Sequence, residues 1–73
     1  MHRVKIDGER VRELRELRGY TKRQLADRAL VTPRTVLRVE QNEFETMNPA
    51  AAQSLASALG TSVASLAPLE EAS

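Results

Sequence analysis

Helix punctuation is the feature of this sequence that most restricts its fold. Thr32 followed by Pro33, and Asn48 followed by Pro49, each set a capping side chain before a proline. That pair opens helices, because the N–H that proline lacks is one a first turn leaves unpaired, and its φ is already helical. Thr21 with Gln24 three residues later is a capping-box pattern. Asp7 and Ser62 are further caps, and Gly19 and Gly60 supply C-terminal stops. Between these marks the first helix is expected over residues 8–18, with Val11, Leu14 and Arg18 on one face. A short second helix covers 22–29, with Leu25, Ala26 and Ala29 inward, and a third covers 33–41. A fourth, from 49 to Gly60, carries the stripe Ala52, Leu55, Ala56 and Leu59, and a short fifth carries Val63 and Leu66. Residues 3–6 alternate with Val4 and Ile6 on one side, as a brief N-terminal strand would, and residues 43–47 set Phe44 and Thr46 against Glu45 and Met47. These two stretches are candidate partners.

The expected architecture is therefore a compact all-α, five-helix domain over 8–66, preceded by an arm or strand (1–7) and followed by an acidic tail (67–73). Seventy-three residues suffice for one modest core and are expected to form one domain. Tyr20 and Phe44 are the sole aromatics, so the core is aliphatic, drawn from Val11, Leu14, Leu25, Ala26, Val31, Val36, Val39, Leu55, Leu59 and Leu66. With no cysteine, thiolate chemistry and cysteine-held metals are excluded. No apolar run approaches a signal peptide or the roughly 20 residues of a membrane span, so a cytoplasmic protein is expected. The enzyme reading has little support. His2 is the one histidine and sits near a terminus, and Ser54, Ser57, Ser62 and Ser65 suit caps and surfaces with no activating base at hand. No metal, cofactor or small-molecule ligand is implied.

Charge is strongly lopsided along the chain. From Arg10 to Arg38 nine basic residues face Glu13, Glu16 and Asp27, a net of six positive, whereas Val39 to Ser73 carries five Glu and no base. The basic stretch coincides with two short helices joined by a tight turn, the outline of a helix-turn-helix. The residues filling that outline are Leu25-Ala26, Val31-Thr32, Thr35-Val36 and Val39-Glu40. Arg12-Glu13-Leu14-Arg15 with Gly19 precedes them, and Leu55-Ala56-Ser57-Ala58-Leu59-Gly60 follows. Together they resemble the Cro and phage-repressor (Xre-type) helix-turn-helix family over about residues 8–66, which implies a lambda-repressor-like DNA-binding fold with its motif at helices two and three.

The resemblance also marks departures. Leu30 stands at a turn position where the family usually has glycine in a left-handed backbone. A branched residue there costs about 1 kcal/mol or more, so either its side chain buries apolar area or the turn takes another shape. Asn42 replaces another usual glycine, a mild change. Lys22 stands where glutamine is commoner. The resemblance implies that Arg15 and Glu40 form a partly buried ion pair tying helix one to the end of helix three.

On a wheel of helix three, Val36 and Val39 face the core with Thr35 beside them, and Arg34, Leu37, Arg38 and Gln41 point out. A helix about 10–12 Å wide enters the major groove of B-DNA, and Arg34 and Arg38 match the O6 and N7 acceptors of guanine. Pro33 and Leu37 are restricted to thymine methyls or sugar edges. Phosphate contacts are assigned to Lys22 and Arg23 at the start of helix two, with Thr21 and Thr32 beside them, and the resemblance implies them for Gln41 and Asn42, with Arg10 weaker. The expected function is sequence-specific double-stranded DNA binding in transcriptional regulation, most naturally repression, as a homodimer that doubles the bases read. Its interface is left open among the Val4 and Ile6 edge, Phe44, and the end around Leu66 and Leu69. The competing reading is a protein-interaction module of antirepressor or antitoxin type. Two arginines on the recognition face weigh against it, since a protein groove favours apolar anchors.

Overall fold

Each cap opens a helix. The computed structural model describes residues 3–44 and 46–68. In it Asp7 accepts from the Glu9 N–H to begin α1 (Gly8–Leu17), and Thr21 and Gln24 complete a capping box ahead of α2 (Lys22–Ala29). Thr32 accepts from the Thr35 N–H at α3 (Pro33–Glu40), and Asn48 from the Ala50 N–H at α4 (Pro49–Ala58). Arg18 and Gln41, expected as last helical residues, are instead the C-caps of α1 and α3. The expected fifth α-helix is corrected. Val63–Leu66 forms a short 3₁₀ turn behind Ser62, and Ala67 is extended at φ −74°, ψ 152°. The following Pro68 excludes Ala67 from the helical region, which leaves four residues between cap and break.

All four α-helices end in the same device, a paired 6→1 and 5→2 closure around a left-handed residue. Gly19, Leu30, Asn42 and Gly60 take φ of 76°, 61°, 58° and 70°, and each donates its N–H three residues back. The residue after each, Tyr20, Val31, Glu43 and Thr61, donates five residues back, to Arg15, Ala26, Arg38 and Ala56. The geometry needs a left-handed residue four times and meets glycine twice. At Leu30 the strained alternative holds without any burial of its side chain, which is 88% exposed. The turn is held instead by its two hydrogen bonds and by Val31, packed against the core.

Helices of eight to ten residues are marginal alone, so their stability comes from packing. α2 lies between α3 and α4, and the α1 stripe Gly8, Val11 and Arg15 closes against α3. Leu25, Val36, Leu59 and Leu66 are fully enclosed. Two expected core members are corrected: Leu14 and Val31 are half-buried, packed against the core but not within it. Leu14 flanks the centre of the α1 stripe, and Val31 sits at a turn with one side open. Ile6 and Met47, not expected in the core, are buried there. Ile6 follows, and Met47 belongs to, a two-stranded antiparallel ribbon of β1 (Val4–Lys5) and β2 (Thr46–Met47), with Val4 opposite Met47 and Lys5 opposite Thr46. The Asp7 N–H donates to the Leu66 carbonyl at 2.8 Å and ties the ribbon's exit to the 3₁₀ turn. The side chains of Ile6 and Leu66 are spent on the core; Leu69 and His2 lie outside the described residues.

Candidate nucleic-acid interface

Burial divides α3 lengthwise. Val36 and Val39 are enclosed, while Pro33, Arg34 and Leu37 are exposed and Arg38 is half-exposed. The connection from α2 is only residues 30–32, so α2 and α3 are held edge to edge. Lys22, at the first position of α2, thereby joins Pro33, Arg34, Leu37 and Arg38 in one open groove, with Glu43 as its acidic wall. Arg23 is exposed beside it. The capping box takes up the Gln24 N–H, and the N–H groups of Lys22 and Arg23 are those that a helix N-terminus offers to an anion.

Several side chains assigned to phosphate already have structural work. The hydroxyls of Thr21 and Thr32 cap α2 and α3, although both residues are exposed. Asn42 Oδ1 accepts from the Gly8 N–H at 2.9 Å, which caps α1 from 34 residues away, and the residue is exposed. Gln41 is exposed at the α3 C-cap. Arg10 donates from Nε to the Ser65 carbonyl at 3.1 Å, a brace for the 3₁₀ turn.

Arg15 and Glu40 are both about 8% exposed and meet in a two-pronged pair. Arg15 Nε donates to Glu40 Oε2 at 2.6 Å and Nη2 to Oε1 at 3.3 Å, while Nη1 donates to the Tyr20 carbonyl at 2.8 Å. The guanidinium thus spans the end of α1 and the end of α3, fixing the tilt of the exposed helix. Gly8 is the second fixed point. A Cβ there would run into the Val39 carbonyl oxygen and lie 2.9 Å from that of Glu40, so α1 approaches α3 as closely as only glycine permits.

Sequence reasoning missed two neighbours of Arg38. Its Nε donates to Glu43 Oε1 at 3.2 Å, and its guanidinium lies 4.8 Å from the centroid of the Phe44 ring. The available signal was the left-handed Asn42, whose closure turns Glu43 back over the last turn of α3. Among the described residues no group of His, Asp or Glu is placed to hold a metal, and no helix is long and apolar enough to cross a membrane.

A family model described as helix-turn-helix matches residues 11–66. Three solved structures show the similarity. The biofilm master regulator SinR, in complex with DNA, is 25% identical with a TM-score of 0.77, over 81% of this chain and 94% of SinR. The clp gene regulator ClgR from C. glutamicum is 34% identical with a TM-score of 0.73, over 89% of this chain and 80% of ClgR. Hydroxypropylphosphonic acid epoxidase from S. wedmorenis is 30% identical with a TM-score of 0.76, over 84% of this chain but 32% of the enzyme. No curated protein matches the chain.

Proposed function

Because the chain belongs to the helix-turn-helix family of Cro and phage-repressor (Xre) type, we propose that it lays α3 in the major groove of B-DNA as a symmetric homodimer and acts as a repressor. It is a sequence-specific DNA-binding regulatory protein. The observation that carries the groove reading is the division of α3: a buried valine face opposite an exposed face with Arg34 and Arg38 one turn apart, beside Lys22 at the head of α2. Arg34 and Arg38 meet guanine edges, and Pro33 and Leu37 touch methyl or sugar surface. Lys22 and Arg23, with the amides of α2, meet phosphate; Thr21, Thr32, Gln41 and the amide nitrogen of Asn42 add polar contacts along the backbone. That SinR is seen on DNA and that ClgR regulates genes supports the same role here. Arg15 and Glu40 keep the reading helix at a fixed angle and touch no DNA.

A single eight-residue helix reads too few base pairs for useful specificity, which is the case for a dimer on a near-palindromic site. Val4 and Phe44 remain candidate dimer contacts. The reading places the protein in the cytoplasm, on the nucleoid, and invokes no small molecule. Selection of bound duplexes from a random library, followed by gel shift and sedimentation, tests it. A near-palindrome bound by two copies is expected. A monomer both free and on the selected site would reject the dimer, and no retardation of any duplex at low salt would favour the protein-interaction module.

A further inference from the structure

Glu43 is out of place for a DNA-binding groove. A carboxylate in a groove whose other charged residues are Lys22, Arg34 and Arg38 is repelled by phosphate, so its presence needs another account. Its position is closely determined. The Glu43 N–H donates to the Arg38 carbonyl at 3.0 Å, and the preceding Asn42 is left-handed with its side chain tied to Gly8. The carboxylate then receives the Arg38 Nε–H at 3.2 Å, and the Phe44 ring supports the same guanidinium at 4.8 Å. Arg38 and Glu43 are each a little under half exposed, so the pair faces the groove.

We propose that Glu43 and Phe44 are positioning residues that aim Arg38 end-on at a guanine and withhold its charge from phosphate. An arginine has five donors in a planar fork. With Nε on Glu43 and the guanidinium carbon over the Phe44 ring, the pair of terminal amino groups remains, and their spacing suits O6 and N7 of guanine. Pairing with Glu43 also cancels Arg38's charge locally, so a random phosphate gains little from it. Arg34, one turn earlier on the same face, is the internal comparison: it makes no ion pair with a described residue. The inference rests on the reading that α3 lies in the major groove.

The test compares Glu43→Gln, Glu43→Ala and Arg38→Ala in the full chain. Binding is measured to the selected duplex, to its single-base-pair variants and to random duplex, over a range of salt. Glutamine keeps an acceptor for Nε and loses the charge; alanine loses both. The side chain is half-exposed and the backbone closure does not depend on it, so all variants are expected to keep their helical dichroism. Both Glu43 variants should bind random duplex more tightly, with a salt slope steeper by about one unit per protomer. Glu43→Gln should keep most of the guanine preference at the base pair identified by Arg38→Ala, whereas Glu43→Ala should lose about tenfold of it. Preference intact in Glu43→Ala, with all duplexes tightened alike, overturns the inference and makes Glu43 a repulsive charge alone. Loss at a different base pair overturns it too, and makes Glu43 itself a reader of cytosine. If Arg38→Ala flattens no position, the base-reading role of Arg38 fails, a result distinct from both.

Discussion

Leu30→Gly should stabilise this protein although it removes a large apolar side chain. Leu30 sits at φ 61°, ψ 39°, where a branched residue is disfavoured by about 1–2 kcal/mol relative to glycine. Against that gain stand two losses. At 88% exposure the leucine retains only a few tenths of the 1.5–3 kcal/mol that full burial would contribute. Glycine adds about 0.4–1 kcal/mol of chain entropy to the unfolded state. The balance is about 0.5 kcal/mol in favour of the variant, which in a domain of this size raises Tm by about 2–4 °C. Thermal melts by far-UV circular dichroism, with urea denaturation as a second probe, would measure it. Leu30→Ala is the control: it keeps the strain and sheds the side chain, so its Tm should fall by less than about 2 °C. If the glycine variant falls by several degrees, Leu30 is supporting the turn through contacts and the strain argument is wrong. DNA affinity should be unchanged, because both turn hydrogen bonds survive.

Gly8→Ala should cost about 1–3 kcal/mol, read as a lower urea midpoint, because its methyl meets backbone oxygens of α3 that move only if the helix does. Glu40→Ala strands the Arg15 charge in a buried site and should cost about 3–5 kcal/mol, enough to leave much of a domain this small unfolded at 37 °C. The double change Arg15→Met with Glu40→Leu should recover part of that loss in the same denaturation assay, since it strands no charge. Lys22→Ala should weaken binding to all duplexes alike and lower the salt slope by about one unit per protomer, whereas Arg34→Ala should cost about 1–3 kcal/mol on the selected site and flatten one position per half-site.

Where each helix begins was legible because capping is a local transaction. Thr21 with Gln24, Thr32 with Pro33, and Asn48 with Pro49 lie within three residues of one another, and each organises its first turn before any tertiary contact forms. The outward face of α3 was legible for the same reason, since a valine pair at 36 and 39 orients a helix whatever it packs against. The burial of Ile6 and Met47 was not, because a strand pair of two residues carries too few alternations to mark a side.

Sequence alone therefore determined where the four α-helices begin, the sign of charge on the motif, and which side of α3 meets solvent, all properties of residues no more than a turn or two apart. Tertiary structure alone decided how that face is aimed and equipped. Asn42 caps a helix that begins at Gly8, Arg15 locks the end of α3 through Glu40, and the Gly8 backbone sets the distance between α1 and α3. Each joins positions 25 or more apart, and a contact of that span exists only once the intervening loop has closed, so neither partner carries a local mark of the other. The Arg38, Glu43 and Phe44 cluster lies between these cases. Its members are neighbours in sequence, yet they meet because Asn42 turns left-handed, a choice confirmed by the distant Gly8 N–H that its side chain holds.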